Sequence, residues 1–130
     1  MSQYDVFISY SSKDKIWVHT RLVDKLISHS FKVLTDSDCV GGAFSDEQME
    51  NAVQSSRHVI AVMSNDFFLS GWTKLETAMT RLLDPGAIKR KLIPVLLYST
   101  DIPLRFRVMT YRDLRNDDKQ EWERLINDLK

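Results

Sequence analysis

Three short runs of apolar, β-forming residues constrain what this chain can fold into: YDVFISY (Tyr4–Tyr10), HVIAVMS (His58–Ser64) and KLIPVLLY (Lys91–Tyr98). Runs of this length lack the polar alternation of a half-exposed strand, so each reads as a strand buried on both faces. Segments with helical spacing separate them. KVLT (Lys32–Thr35) and VMTYRD (Val108–Asp113) supply two further short strands. Strands that alternate with helices form right-handed βαβ units around a parallel sheet. The expectation is an α/β, flavodoxin-like three-layer sandwich with a five-stranded parallel sheet in the order 2-1-3-4-5.

The helical segments carry start signals. Ser11 with Asp14, and Ser45 with Gln48, have capping-box spacing. After the first, Ile16, Trp17, Leu22, Val23, Leu26 and Ile27 are expected to face inward; after the second, Met49, Ala52 and Val53. A helix is expected over Trp72–Leu83, and a last one burying Trp122, Leu125, Ile126 and Leu129. Lys89–Lys91 reads as a solvated turn. Pro94 cannot donate to a ladder, which suggests a strand near a sheet edge or a bulge. DSDCVGGAF (Asp36–Phe44) has no period and contains Gly41 and Gly42, so it reads as a loop.

At 130 residues, with no repeat or linker, residues 1–130 read as a single domain. Lys and Arg number 18, as do Asp and Glu, so the formal charge is zero and a nucleic-acid binder working by bulk electrostatics is disfavoured. Arg105, Arg107, Arg112 and Arg115 leave room for a local basic patch. The single cysteine, Cys39, excludes an internal disulfide and a CxxC zinc site, and nothing beside it reads as a base. His19, His29 and His58 are scattered without metal or triad spacing. No run is long enough to span a bilayer and no signal peptide is evident, so the default expectation is a cytoplasmic domain without a membrane partner.

In open parallel sheets, ligands lie beyond the carboxyl ends of the strands. Here those ends are Ser9–Lys13, Asp36–Phe44 and Ser64–Trp72. The last leads into SGWTKLETAM, where Trp72 and Glu76, four apart, share one helix face. Two readings stay open. Thr73 and Glu76 have the T-x-x-E spacing of a capping box, which would make Glu76 a helix cap. Alternatively, the pair marks a binding site with a carboxylate beside an indole.

The three segments YDVFISYSSKD, DSDCVGGAF and AVMSNDFFLSGWTKLE together resemble, in order and spacing, the signature regions of the Toll/interleukin-1 receptor (TIR) domain family. The resemblance covers essentially the whole chain. It implies one of two functions. In the NAD-cleaving branch, the glutamate of W-x-x-x-E is essential, which here corresponds to Glu76 as the catalytic residue. Trp72, Tyr10, Ser11 and Phe44 then become candidate substrate-binding residues. NAD is the substrate, no cofactor or metal is required, and the product is ADP-ribose or a cyclic form. Self-association with other TIR domains activates such enzymes in immune or cell-death signalling. In the scaffold branch, TIR–TIR assembly itself carries the signal. Either way, Asp36, Asp38, Gly41 and Gly42 belong to the loop used in assembly. The family's loop carries Pro-Gly where this chain has Gly41-Gly42, and Phe44 falls one residue before the family's aromatic position. The resemblance also suggests a domain excised from a larger receptor or effector. A flavin or phospho-receiver domain on the same fold is less well matched, because the acidic cluster of a receiver is not evident.

The chemistry asks little of the protein. Nicotinamide is cationic on the ribose and leaves neutral, so no general acid is needed. One ionised carboxylate near the ribose can stabilise the oxocarbenium-like transition state. No P-loop or G-x-G-x-x-G is present to cradle phosphates.

Overall fold

The computed structural model describes residues 3–35, 45–70, 72–102, 104–107 and 109–130, with the side chains of residues 70, 105 and 107 left aside. Asp36, Asp38, Cys39, Gly41, Gly42 and Phe44 lie outside the described residues.

Five parallel strands form one sheet in the order β2-β1-β3-β4-β5. They are β1 (Tyr4–Ser9), β2 (Val33–Leu34), β3 (Ser56–Met63), β4 (Leu92–Leu96) and β5 (Arg112–Asp113). The expected fold and strand order are both observed. The uninterrupted apolar runs follow from two-sided burial. Val6, Ile8, Ile60, Val62, Ile93 and Val95 point to one layer. Phe7, Val59, Ala61, Met63, Leu92 and Leu96 alternate to the other.

The first layer holds α1 (Lys15–Trp17), a π-helical stretch (Val18–Val23), α2 (Asp24–Ser28) and α8 (Lys119–Leu129). The second holds α3 (Asp46–Ser55), α4 (Asn65–Ser70), α5 (Trp72–Leu82), α6 (Pro85–Lys91) and α7 (Leu104–Arg107). The buried faces of α3 and α8 are those expected: Met49, Ala52 and Val53, and Trp122, Leu125, Ile126 and Leu129. The Ser45 capping box forms in both directions, with Gln48 N donating to Ser45 Oγ at 3.1 Å and Ser45 N donating to Gln48 Oε1 at 2.8 Å.

Three expectations are corrected. First, Ile16 and Ile27 face solvent, at 80% and 58% exposure. The buried row is Val18, Leu22 and Leu26, spaced by four, which the wider turn of the π stretch accommodates. Ile16 precedes that row by two residues and Ile27 follows it by one, so both fall off the face. Second, Asp14 does not close a box with Ser11. Ser11 Oγ accepts from Lys13 N, while Asp14 is 4% exposed and accepts from Ser64 Oγ at 2.6 Å. Third, Lys89–Lys91 is the last turn of α6, where cations complement the helix dipole. Asp84 caps that helix and Pro85 occupies its first position, so a sequence that reads as a turn is a helix start. Pro94 lies, as expected, on a strand near a sheet edge: β4 is next to the edge strand β5, with Pro94 in continuous register opposite Ala61 of β3. Leu97 N donates to Met63 on the β3 side, and Leu96 accepts from Leu114 on the β5 side. Alternation therefore turns the missing donor of Pro94 toward β5, whose pairing begins only at Val95.

The bond from Ser64 to Asp14 ties the carboxyl ends of β1 and β3. Ser64 Oγ also accepts from Phe67 N at 3.2 Å, capping α4. Ser64→Ala leaves a buried carboxylate oxygen and a helix N–H unpartnered. It is expected to lower stability by about 2 kcal/mol, read from the urea midpoint.

Candidate functional site

Helix α5 begins at Trp72, so Thr73 lies within the helix and Glu76 falls beyond its first turn. The T-x-x-E spacing therefore does not act as a cap. Instead Trp72 and Glu76, one helical turn apart, line the same cleft of about 310 Å³. Met79 and Thr80 extend this face down α5. Ile88 and Lys89 of α6, with Pro85, Leu92 and Met109, complete the walls. The cleft runs along the α5–α6 flank, from Trp72 at the start of α5 to Leu92 at the start of β4.

The indole is held by aromatic neighbours. Its ring centroid is 4.7 Å from that of Phe106, at an interplanar angle of 60°, and 6.3 Å from that of Phe67. Both phenylalanines are fully buried, while Trp72 is half-buried and presents its remaining surface to the cleft. Glu76 is also half-buried. A carboxylate set among mainly apolar walls acts in a medium of lower effective dielectric than water, which strengthens its hold on a nearby positive charge.

The other candidates are placed differently. Tyr10 packs in the opposite layer, with Ile8 and Leu22, and its hydroxyl is hydrogen-bonded to His19 Nε2 at 2.9 Å. Ser11 is buried at the end of β1 and caps the turn Ser12–Asp14. Neither lines the Trp72–Glu76 cleft. Met79 and Thr80 were legible as the next positions on the Glu76 face. Ile88, Lys89 and Met109 arrive through tertiary packing and left no local signal. Of the basic residues once grouped by sequence, Arg112 forks onto Asp128 and Arg115 onto Asp113. No cluster of three or more His, Cys, Asp or Glu side chains among the described residues could hold a metal ion. No helix there is long and apolar enough to cross a membrane.

A second cleft, of about 280 Å³, adjoins the first at the amino ends of β3 and β4. Lys89 and Leu92 line both. Within it, burial holds the His58 imidazole below its ordinary value of 6.5, and the neighbouring Arg57 cation adds to the effect; a backbone hydrogen bond at Lys91 opposes them. A lowered folded-state value means that the unfolded chain binds more protons just below pH 6.5. Stability is thus retained at neutral pH and drains away as pH falls through 6.5 toward the folded value. His58→Gln is expected to flatten that slope, measured as the difference in unfolding midpoint between pH 7.5 and 5 for the two proteins.

A family profile described as a TIR domain matches residues 6–126. Mouse Toll-like receptor 13 is 31% identical over 116 residues, covering 86% of this chain and 11% of the receptor. The Staphylococcus aureus protein named NAD(+) hydrolase TirS is 36% identical over 75 residues, covering 57% of this chain and 27% of that protein. The chain thus spans only a small part of the length of these relatives. The crystal structure of the TIR domain of the Toll-related receptor TRR-2 from Hydra magnipapillata superposes with a TM-score of 0.80 at 28% identity, covering 98% of each chain.

Proposed function

Because the chain belongs to the TIR domain family, we propose that it is an NAD glycohydrolase, with Glu76 as the catalytic carboxylate. The observation that carries this reading is the shared cleft of Trp72 and Glu76. The name of the TirS relative, an NAD(+) hydrolase, supports it. In the reaction, the bond between ribose C1′ and the nicotinamide nitrogen breaks, and its electron pair leaves with neutral nicotinamide. Glu76 stabilises the positive charge that develops on the ribose, and water or an internal nucleophile of the substrate then takes C1′. Trp72 supplies a flat apolar face for the nicotinamide or ribose. Tyr10 and Ser11 stand outside this cleft and take no direct part in the proposed reaction. Phe44 is the remaining candidate substrate-binding residue, and the loop residues Asp36, Asp38, Gly41 and Gly42 act when one TIR domain meets another in a cytoplasmic, self-associated signalling assembly.

Nicotinamide release from NAD tests the proposal, measured by chromatography with the protein concentrated and also clustered on beads or lipid surfaces. Release that rises with clustering is expected. A second reading, a scaffold that signals through TIR–TIR assembly alone, is favoured by the Toll-like receptor match over 86% of the chain. Absence of release under every clustering condition would select it.

A further inference from the structure

Helix α4 is only six residues long, too short to hold its direction through its own backbone ladder. Its start is fixed by Ser64, which is buried just past the carboxyl end of β3. The Ser64 carbonyl accepts from Phe68 N at 3.1 Å, and its Oγ accepts from Phe67 N at 3.2 Å. A hydroxyl has one proton to give, and here it goes to Asp14 Oδ2 at 2.6 Å. A carboxylate only accepts, so Asp14 sets the hydroxyl rotor and leaves a lone pair of Ser64 Oγ for Phe67 N. Among the described residues, two other ties reach the start of α4: Lys13 Nζ to Asp66 Oδ1 at 3.5 Å, and Thr100 Oγ1 to Asn65 Oδ1. Both are exposed, where single polar contacts contribute little. The bond from Ser64 to Asp14 is the buried one.

Phe67, placed by that cap, is fully buried, and its ring centroid lies 6.3 Å from the Trp72 indole at an interplanar angle of 53°. We propose that Asp14 is a positioning residue for Trp72: through the Ser64 hydroxyl it fixes α4, and α4 seats Phe67 against the indole that lines the cleft with Glu76. The turn after β1 thus acts on the cleft at a distance, through the end of β3, without touching a ligand. Its effect on NAD rests on the glycohydrolase reading; the seating of the indole does not. Phe106 supports the same indole from α7, so loss of the α4 side is expected to tilt the ring rather than release it. The bland alternative is that the bond between Asp14 and Ser64 adds stability alone. The two differ in reach, because a purely stabilising contact leaves Trp72 in place wherever the protein is folded.

The test follows the indole N–H resonance of Trp72 by NMR, identified among the three tryptophans with Trp72→Phe. Asp14→Asn keeps the shape of the side chain but adds an amide donor that competes with Phe67 N for Ser64 Oγ. Ser64→Cys keeps a similar volume with a much weaker hydrogen-bonding group. Each is expected to shift the Trp72 resonance, and the double variant to shift it no further than the larger single change. KM for NAD rises about tenfold with kcat nearly unchanged, the pattern of lost uniform binding. Leu125→Ala is the control: Leu125 is fully buried in the other layer, so its truncation lowers stability while leaving the Trp72 resonance and KM in place. An unmoved resonance in Asp14→Asn, or in Ser64→Cys should that variant not fold, overturns the positioning role. So does the same movement in Leu125→Ala. A moved resonance with unchanged KM keeps the role and takes Trp72 out of substrate binding. Should the wild type release no nicotinamide, the glycohydrolase reading falls and the resonance alone decides.

Discussion

Glu76→Gln is expected to reduce nicotinamide release by on the order of 10³-fold, with the fold and the KM for NAD little changed. The substitution keeps the size and hydrogen-bonding reach of the side chain and removes only its charge. In the ground state, substrate and enzyme lose an attraction to an already cationic nicotinamide ring. In the transition state, positive charge has moved onto the ribose beside the carboxylate, so the loss there is larger. The effect therefore falls on kcat rather than on binding. Circular dichroism and the thermal midpoint should match the wild type, since Glu76 lies beyond the first turn of α5 and does not cap it. Equal release from both proteins would remove Glu76 from the mechanism.

Phe106→Ala is expected to have the largest effect on stability, about 3–5 kcal/mol, seen as a lower urea midpoint with unchanged slope. Phe106 is completely buried on α7, a helix only four residues long. Such a short helix cannot be held by its own backbone bonds, so the ring anchors it. Its centroid is 5.8 Å from that of Phe68 and 4.7 Å from that of Trp72, so truncation opens a cavity beneath the indole. Under conditions where the variant stays folded, Trp72 gains freedom, and its fluorescence should become more accessible to acrylamide. The KM for NAD should rise with it. A stability loss without a change in quenching would show that Phe67 alone suffices to position the indole.

The parts of the fold legible in sequence are those governed by local pattern. Tyr4–Ser9, Ser56–Met63 and Leu92–Leu96 announce themselves because burial on both faces forces unbroken apolar runs. The Ser45–Gln48 box was readable because both partners lie within four residues. What escaped depended on distant partners or on ambiguous local chemistry. Asp14 has capping-box spacing to Ser11, yet its partner is Ser64, fifty residues along the chain. Asp84-Pro85-Gly86 has the composition of a turn, and only the residues that follow make it the start of α6. The candidate site divides in the same way. Trp72 and Glu76 meet because both lie on one helix face. Lys89, Ile88 and Met109 join them only through packing between elements, which no spacing along the chain encodes.

The β5 edge limits how a second chain could join this sheet. Among the described residues, only Arg112 and Asp113 pair there, and the strand beneath them lacks a donor at Pro94. A further chain would find too few aligned amides to zip onto, so this border does not template sheet growth. Higher-order association on this side must therefore use side-chain surfaces, whose contacts are individually replaceable. It can then be tuned or dissolved by point substitution, whereas a continuous backbone ladder would resist both.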